Sequence, residues 1–311
     1  MIIKSPSLVA AIRYAATNMI YAFCKKTLSF WHLMGLTVVP NHYYIPIPDT
    51  RYLKNEIWER KSSLPGIDIN EKQQLELLSE FSQRYKDEYE QIPKYRTDAN
   101  HQYYINNQSF SSVDGEILYC MIRYFKPKRI IEIGSGNSTL LSAQAALKNQ
   151  VEGHLCELIA IEPYPNEVLR KGFPGLSRMI SKKLQDVPIT EFTRLEANDI
   201  LFIDSSHVVT IGSDAQYEYL EILPLLAPGV LVHIHDIFLP MEYRKQWVLQ
   251  ELKFWNEQYL LQAFLIQNAA WKVLWGGSYM HIQHPDLLEE NFNSYNREER
   301  WPGSFWIQRL S

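Results

Sequence analysis

The run Arg129-Ile130-Ile131-Glu132-Ile133-Gly134-Ser135-Gly136-Asn137-Ser138-Thr139 constrains this chain more than any other stretch, because an apolar segment ends there in two glycines and then turns helical. It reads as strand, tight turn and helix start. Glycines at 134 and 136 let the backbone approach a ligand with no Cβ in the way, and Asn137 or Ser138 can cap the following helix. A dinucleotide fold would place a third glycine at 139, with pyrophosphate over the helix N-terminus. That position is Thr139, and the strand carries the acid Glu132, so the turn points away from a pyrophosphate.

From Arg129 onward apolar runs alternate with helical patterns. Strands are expected at 129–133, 155–161, 178–184, 199–204 and 230–235, and helices at 138–148, 189–195, 213–226 and 243–265. Such alternation implies a parallel sheet covered by helices on both faces. Two further runs, 271–275 and 304–310, have no comparable apolar helix between them and read as an antiparallel pair. Expected fold class is therefore α/β, a doubly wound, mostly parallel seven-stranded sheet with a helical N-terminal extension.

That extension begins with an apolar segment from Ser7 to Cys24, read as a helix. Arg13 and Asn18 fall in its middle, which disfavours a membrane span. It either packs on protein, including a second copy in a homo-oligomer, or lies on a membrane surface with Lys25 and Lys26 at its edge. The two prolines of the 41–49 segment hold it extended as an arm or lid. Apolar residues at Leu75, Leu78, Phe81, Tyr85 and Tyr89 mark an amphipathic helix. With 311 residues, 46% of them hydrophobic and 21% charged, the chain can bury a large core, and its net charge of -4 disfavours a nucleic-acid partner. Cys24, Cys120 and Cys156 lie far apart and read as reduced thiols of a cytoplasmic protein.

In open α/β sheets ligands bind past the carboxyl ends of the strands. Glu132 suits a ligand with a cationic amine and a sulfonium. Glu162, after the second strand, could take two ribose hydroxyls. Gln185, Asp186 and Val187 follow the third, where an adenine amino group needs an acceptor. The fourth strand ends in Asp204-Ser205-Ser206-His207 and the fifth in His233-Ile234-His235-Asp236.

The glycine turn resembles motif I of the class I S-adenosylmethionine (SAM) methyltransferases, and residues 129–236 resemble methyltransferase family 24. That family is similar to macrocin-type sugar O-methyltransferases and cephalosporin hydroxylase-like proteins. Its fourth strand ends in D-G-D-H with an acid opening the next helix, and its fifth follows L-x-P-G-G and ends in H-D. The matching residues are Asp204, His207 and Asp214, then Leu226, Pro228, Gly229, His235 and Asp236. The sequence departs at Ser205, Ser206 and Val230, and the acid missing at Ser206 puts a family metal site in question.

The resemblance implies a SAM-binding methyltransferase domain at 101–311, preceded by the helical extension and lid arm at 1–100. SAM would meet Glu132, Gly134, Ser135, Gly136, Asn137, Ser138, Glu162, Gln185, Asp186, Val187, Asp204 and Ser205. Catalytic candidates are His207, as general base, with His235 and Asp236; His233 reads as a buried structural histidine. A divalent metal would use Asp204 and Asp236. The acceptor implied is a small molecule, sugar or peptide-derived natural product, methylated on oxygen. Contacts to it are expected from 43–48, 101–108 and 281–302. Two other readings stay open: a metal-dependent hydrolase or hydroxylase on an α/β scaffold, and a non-catalytic subunit of the same fold.

Overall fold

The computed structural model describes residues 8–99 and 101–311, with residues 8–15 as backbone only. The expected helix start at Ser7, the Arg13 side chain and Asn100 lie outside the described residues. Two compact units result, Met1–Asn55 and Glu56–Ser311.

In the first unit, α1 (Leu8–Leu33) runs well past Cys24. Lys25 and Lys26 are good helix formers, and no glycine intervenes before Gly35, whose φ of 72° suits the chain reversal there. The arm after it, expected to be extended, instead turns between His42 and Ile45, where the Ile45 N–H donates to the His42 carbonyl at 2.8 Å, and it ends in a short turn capped by Asp49. No described helix is long and apolar enough to cross a membrane.

The second unit contains α2 (Glu56–Glu59), α3 (Glu71–Tyr89), α4 (Asp114–Phe125), β1 (Arg129–Ile133), α5 (Asn137–Val151), β2 (Glu157–Ile161), α6 (Glu167–Lys171), β3 (Arg178–Ile180) and β4 (Ile200–Ile203). After these come α7 (Asp214–Tyr217), β5 (Leu231–Ile234), α8 (Lys245–Leu249), α9 (Glu257–Leu265), β6 (Trp271–Gly276), α10 (Gly277–Gln283), α11 (Pro285–Asn291) and β7 (Phe305–Arg309). The seven strands lie in the order β3-β2-β1-β4-β5-β7-β6. β1 to β5 pair in parallel, and β7 inserts antiparallel between β5 and β6.

Alternate residues of the same strands build two cores. Ile130, Leu158, Ile200, Phe202 and Leu231 face α4 and α5, and α3 completes that layer through Leu78, Phe81 and Tyr85. Thus α3, read in sequence as part of the extension, packs within the sheet's own unit. Ile131, Ile159, Leu201 and Val232 face the other way, onto Tyr219, Ile222 and Leu261. Parallel strands buried on both faces explain their unbroken apolar runs.

Three expected elements differ, and the first is the helix expected over 189–195, which is a single 3-10 turn, Ile189–Glu191. The third strand stops at Ile180, because it is the sheet edge and exposed Lys182 and Lys183 follow. The helix expected over 243–265 is divided into α8 and α9 with non-helical chain between. The backbone N–H groups of Asn256 and Glu257 donate to the His207 carbonyl at 3.1 and 3.2 Å, so α9 starts afresh against the β4 loop.

Candidate active site

At the end of β1 the chain reverses through Gly134, with φ of 74°. A Cβ there would lie 1.8 Å from the Asp204 carbonyl oxygen, so this glycine lets β1 and β4 end in contact. Gly136 differs: it is extended, and a Cβ would meet nothing within 4 Å. Its N–H donates to Thr139 Oγ1 at 2.9 Å, which anchors the first turn of α5.

Glu132 lies under this turn, fully buried and away from the cleft. One carboxylate oxygen accepts from Ser138 Oγ at 2.5 Å and Thr139 Oγ1 at 2.9 Å, while the other has no protein partner. Burial pushes its pKa up to about 8, against those two hydrogen bonds and with help from the Asp204 charge. Glu132 and Ser138, expected to touch cofactor, instead tie β1 to α5.

The cleft beyond the turn is lined by Gly134, Glu162, Tyr164, Gln185, Asp204 and Ser205 among others. Glu162 accepts from the N–H of Tyr164 at 2.8 Å and from that of Ser135 at 3.4 Å. Gln185 is held by donation to the Gly212 carbonyl at 2.8 Å. Ser205 donates to buried Glu218 at 3.2 Å, and Ser206 donates to Asp214 through both N–H and hydroxyl. Val187 faces the core and Asp186 faces solvent outside the cleft, a correction to the sequence reading. Asn137 ties in the preceding loop, donating to Ser109 at 2.8 Å and Asn107 at 3.2 Å.

Where β4 and β5 end, two carboxylates and two imidazoles meet. His207 Nε2 lies 3.3 Å from Asp204 and 3.6 Å from Asp236, and its Nδ1 lies 2.9 Å from Glu257. His235 Nδ1 lies 3.4 Å from Asp204, and its Nε2 lies 3.5 Å from Asp114. Asp204 lines the cleft beyond the glycine turn, whereas Asp236 and His235 line a second cavity. The cluster therefore joins the two spaces.

Burial alone would pull the His207 imidazolium down, but the carboxylates of Asp204 and Glu257 outweigh it and push its pKa up to about 10. His235 is likewise raised, by Asp236, Asp204 and Asp114 acting against burial. Burial opposes ionisation of Asp204, yet His235 and His207 hold it well below the usual carboxylate range. Asp236 shifts the other way, because burial outweighs the same two imidazoles. Without a cation these carboxylates favour the protonated ring, which is not free to act as the general base expected from the sequence, whereas a bound cation would take the place of that proton. His233 is buried, stacked on Phe202 at 3.9 Å and bonded to Ser304 at 2.9 Å, as expected of a structural histidine.

Asp204, His207 and Asp236 each offer a donor atom, all within 4.8 Å of one another, and Glu257 holds the remaining His207 nitrogen. Two carboxylates and an oriented imidazole suit a divalent cation. With its proton displaced, His207 would supply the third donor that the loss of an acid at Ser206 had put in question. Glu257 and Asp114 were not anticipated. Glu257 falls within the helix expected over 243–265 and is fully buried; Asp114 accepts from the N–H groups of Gly303 and Ser304 at 2.9 Å each.

The strand order with β7 inserted beside β5, and the cleft at the carboxyl ends of β1, β2 and β4, define the class I methyltransferase fold. Residues 131–237 match the family described as a methyltransferase domain, and the chain belongs to the SAM-dependent methyltransferases of class I. An uncharacterized protein of Archaeoglobus fulgidus is 32% identical over 176 residues, covering 54% of this chain and 77% of that protein. Among solved structures, the CmcI-N160 apo-structure is similar with a TM-score of 0.38 and 13% identity, over 72% of this chain and 84% of that one. The O-methyltransferase from Bacillus cereus in complex with SAH has a TM-score of 0.36 and 15% identity, over 76% of this chain and 91% of that one.

Proposed function

We propose that the protein transfers the methyl group of SAM to a hydroxyl of a small-molecule, sugar or peptide-derived acceptor. The observation that carries this is the Asp204, His207, His235 and Asp236 cluster, which has one carboxylate in the cleft beyond the glycine turn and the other in a second cavity. A methyl donor on one side and an acceptor on the other would meet there, and alignment supplies much of the rate of an in-line displacement.

SAM supplies an electrophilic methyl group. Glu162, fixed by two backbone N–H groups, takes the ribose hydroxyls, and Gln185 and the backbone beside it face the adenine. Asp236, raised by burial, is a stronger base than an ordinary carboxylate and accepts the acceptor's proton as the new C–O bond forms. The charged rings of His207 and His235 stand beside the oxygen as it gains electron density. The mutual approach of Asp204, His207 and Asp236 favours a second reading, in which these residues hold a divalent cation that acidifies the acceptor hydroxyl.

Calorimetry with S-adenosylhomocysteine (SAH) and with NAD tests the cofactor assignment. SAH should bind and Glu162→Ala should weaken it by about 10- to 100-fold, the cost of losing a charge-assisted contact. Binding of NAD with no response to SAH overturns the assignment.

A further inference from the structure

We propose that the cavity beside Asp236 receives an acceptor bearing a carboxylate or phosphate group, which Arg244 recognises while the reacting hydroxyl lies toward Asp236. This rests on the methyltransferase reading and specifies its substrate class.

The cavity, of about 280 Å³, is at the lower end for ligand pockets and suits a single ring with its substituents. Its walls include Arg244, Trp247, Arg300 and Trp301. The two indoles offer flat apolar surface against which a ring can stack. Trp301 donates its N–H to Ser278 at 2.9 Å, and Arg300 donates to Asn106 at 3.0 Å, so both are held in place.

Among the described residues Arg244 has no carboxylate partner, in contrast to Arg123 and Arg297; Arg300 also lacks one but donates to Asn106. Arg123 pairs with Glu88, and Arg297 with Asp286 and Glu289. The Arg244 guanidinium lies 5.4 Å from the Trp247 ring and 5.9 Å from that of Phe238, and among the described residues no carboxylate is within salt-bridge distance of it. Burial lowers its pKa, while Asp236, Asp114 and Glu251 raise it only from a distance. Asp114 cannot turn to it without releasing the Gly303 and Ser304 N–H groups. A half-buried guanidinium without an anion has lost water and gained no charge partner, which is unfavourable until a ligand supplies one. The nearby Asp236 repels that anion, so the acceptor is oriented with its charged end on Arg244.

The test uses the full chain saturated with SAH, and the same chain without it, titrated with matched pairs by ligand-observed NMR: 4-hydroxybenzoate against 4-hydroxybenzyl alcohol, glucuronate against methyl glucoside, and phenyl phosphate against phenol. At least one anionic member should bind about tenfold or more tighter than its neutral partner, and the successful pair distinguishes carboxylate from phosphate. Arg244→Gln should abolish that preference while SAH affinity stays within about twofold. Equal binding within every pair, no binding of any anionic member, or a preference that survives Arg244→Gln overturns the proposal. The wild-type pairs decide the matter even if Arg244→Gln fails to fold, and SAH affinity reports separately on the methyltransferase reading.

Discussion

Replacing Glu132 by glutamine should change the pH dependence of stability more than any other single substitution at the glycine turn. In the folded chain this carboxyl ionises at about 8, against an ordinary value of 4.5. Below the lower value both folded and unfolded chains hold the proton, and the contribution of the protonated tie to Ser138 and Thr139 is complete. Between the two values the unfolded chain ionises freely while the folded chain resists, so stability falls as pH rises and levels off above about 8. At about 1.4 kcal/mol per pH unit of that gap, the loss is on the order of 5 kcal/mol. Glutamine keeps an oxygen that accepts from Ser138 and Thr139 but cannot ionise. Urea denaturation from pH 5 to pH 9 should therefore give Glu132→Gln a profile flatter than wild type by roughly that amount, with the two converging at the acid end. Parallel profiles would show that the carboxyl is ionised in the fold and would refute the reasoning. Because Glu132 does not line the cleft, SAH affinity should be little changed, and a loss of tenfold or more would put its carboxylate in contact with the ligand.

Gly134→Ala should fail to fold or lose most of its stability, since its Cβ would collide with the Asp204 carbonyl, whereas Gly136→Ala should melt like wild type and lose SAH affinity by calorimetry, its methyl entering space free of protein. Mn²⁺ titrated into chelator-treated protein should bind to wild type and not to Asp236→Asn or His207→Ala; equal binding by all three, or none by wild type, removes the cation reading.

The residues that were legible in the sequence share one property: each stands at the end of a strand whose apolar run is visible. Glu162, Asp204, His235 and Asp236 could be placed because a parallel α/β sheet gathers its strand ends at one edge, converting positions in the chain into a position in space. Legibility decayed within two or three residues of a strand end. Val187 faces the core and Ser138 bends inward to Glu132, because the local path of a turn, which a strand pattern does not encode, decides which side chain meets the cleft. His207 stands past the end of β4, where the sequence puts it, but its charge state is not written in that stretch. Its protonation depends on Glu257, which is 50 residues away and reaches it only because α9 begins where its N–H groups meet the His207 carbonyl. Asp114 and Arg244 reach the site through packing in the same way, and neither belongs to a strand-end pattern. The strand-end side of the cluster was therefore visible as a motif. Its protonation states and the walls of the second cavity are set by contacts between elements far apart in the chain, which local sequence patterns do not specify.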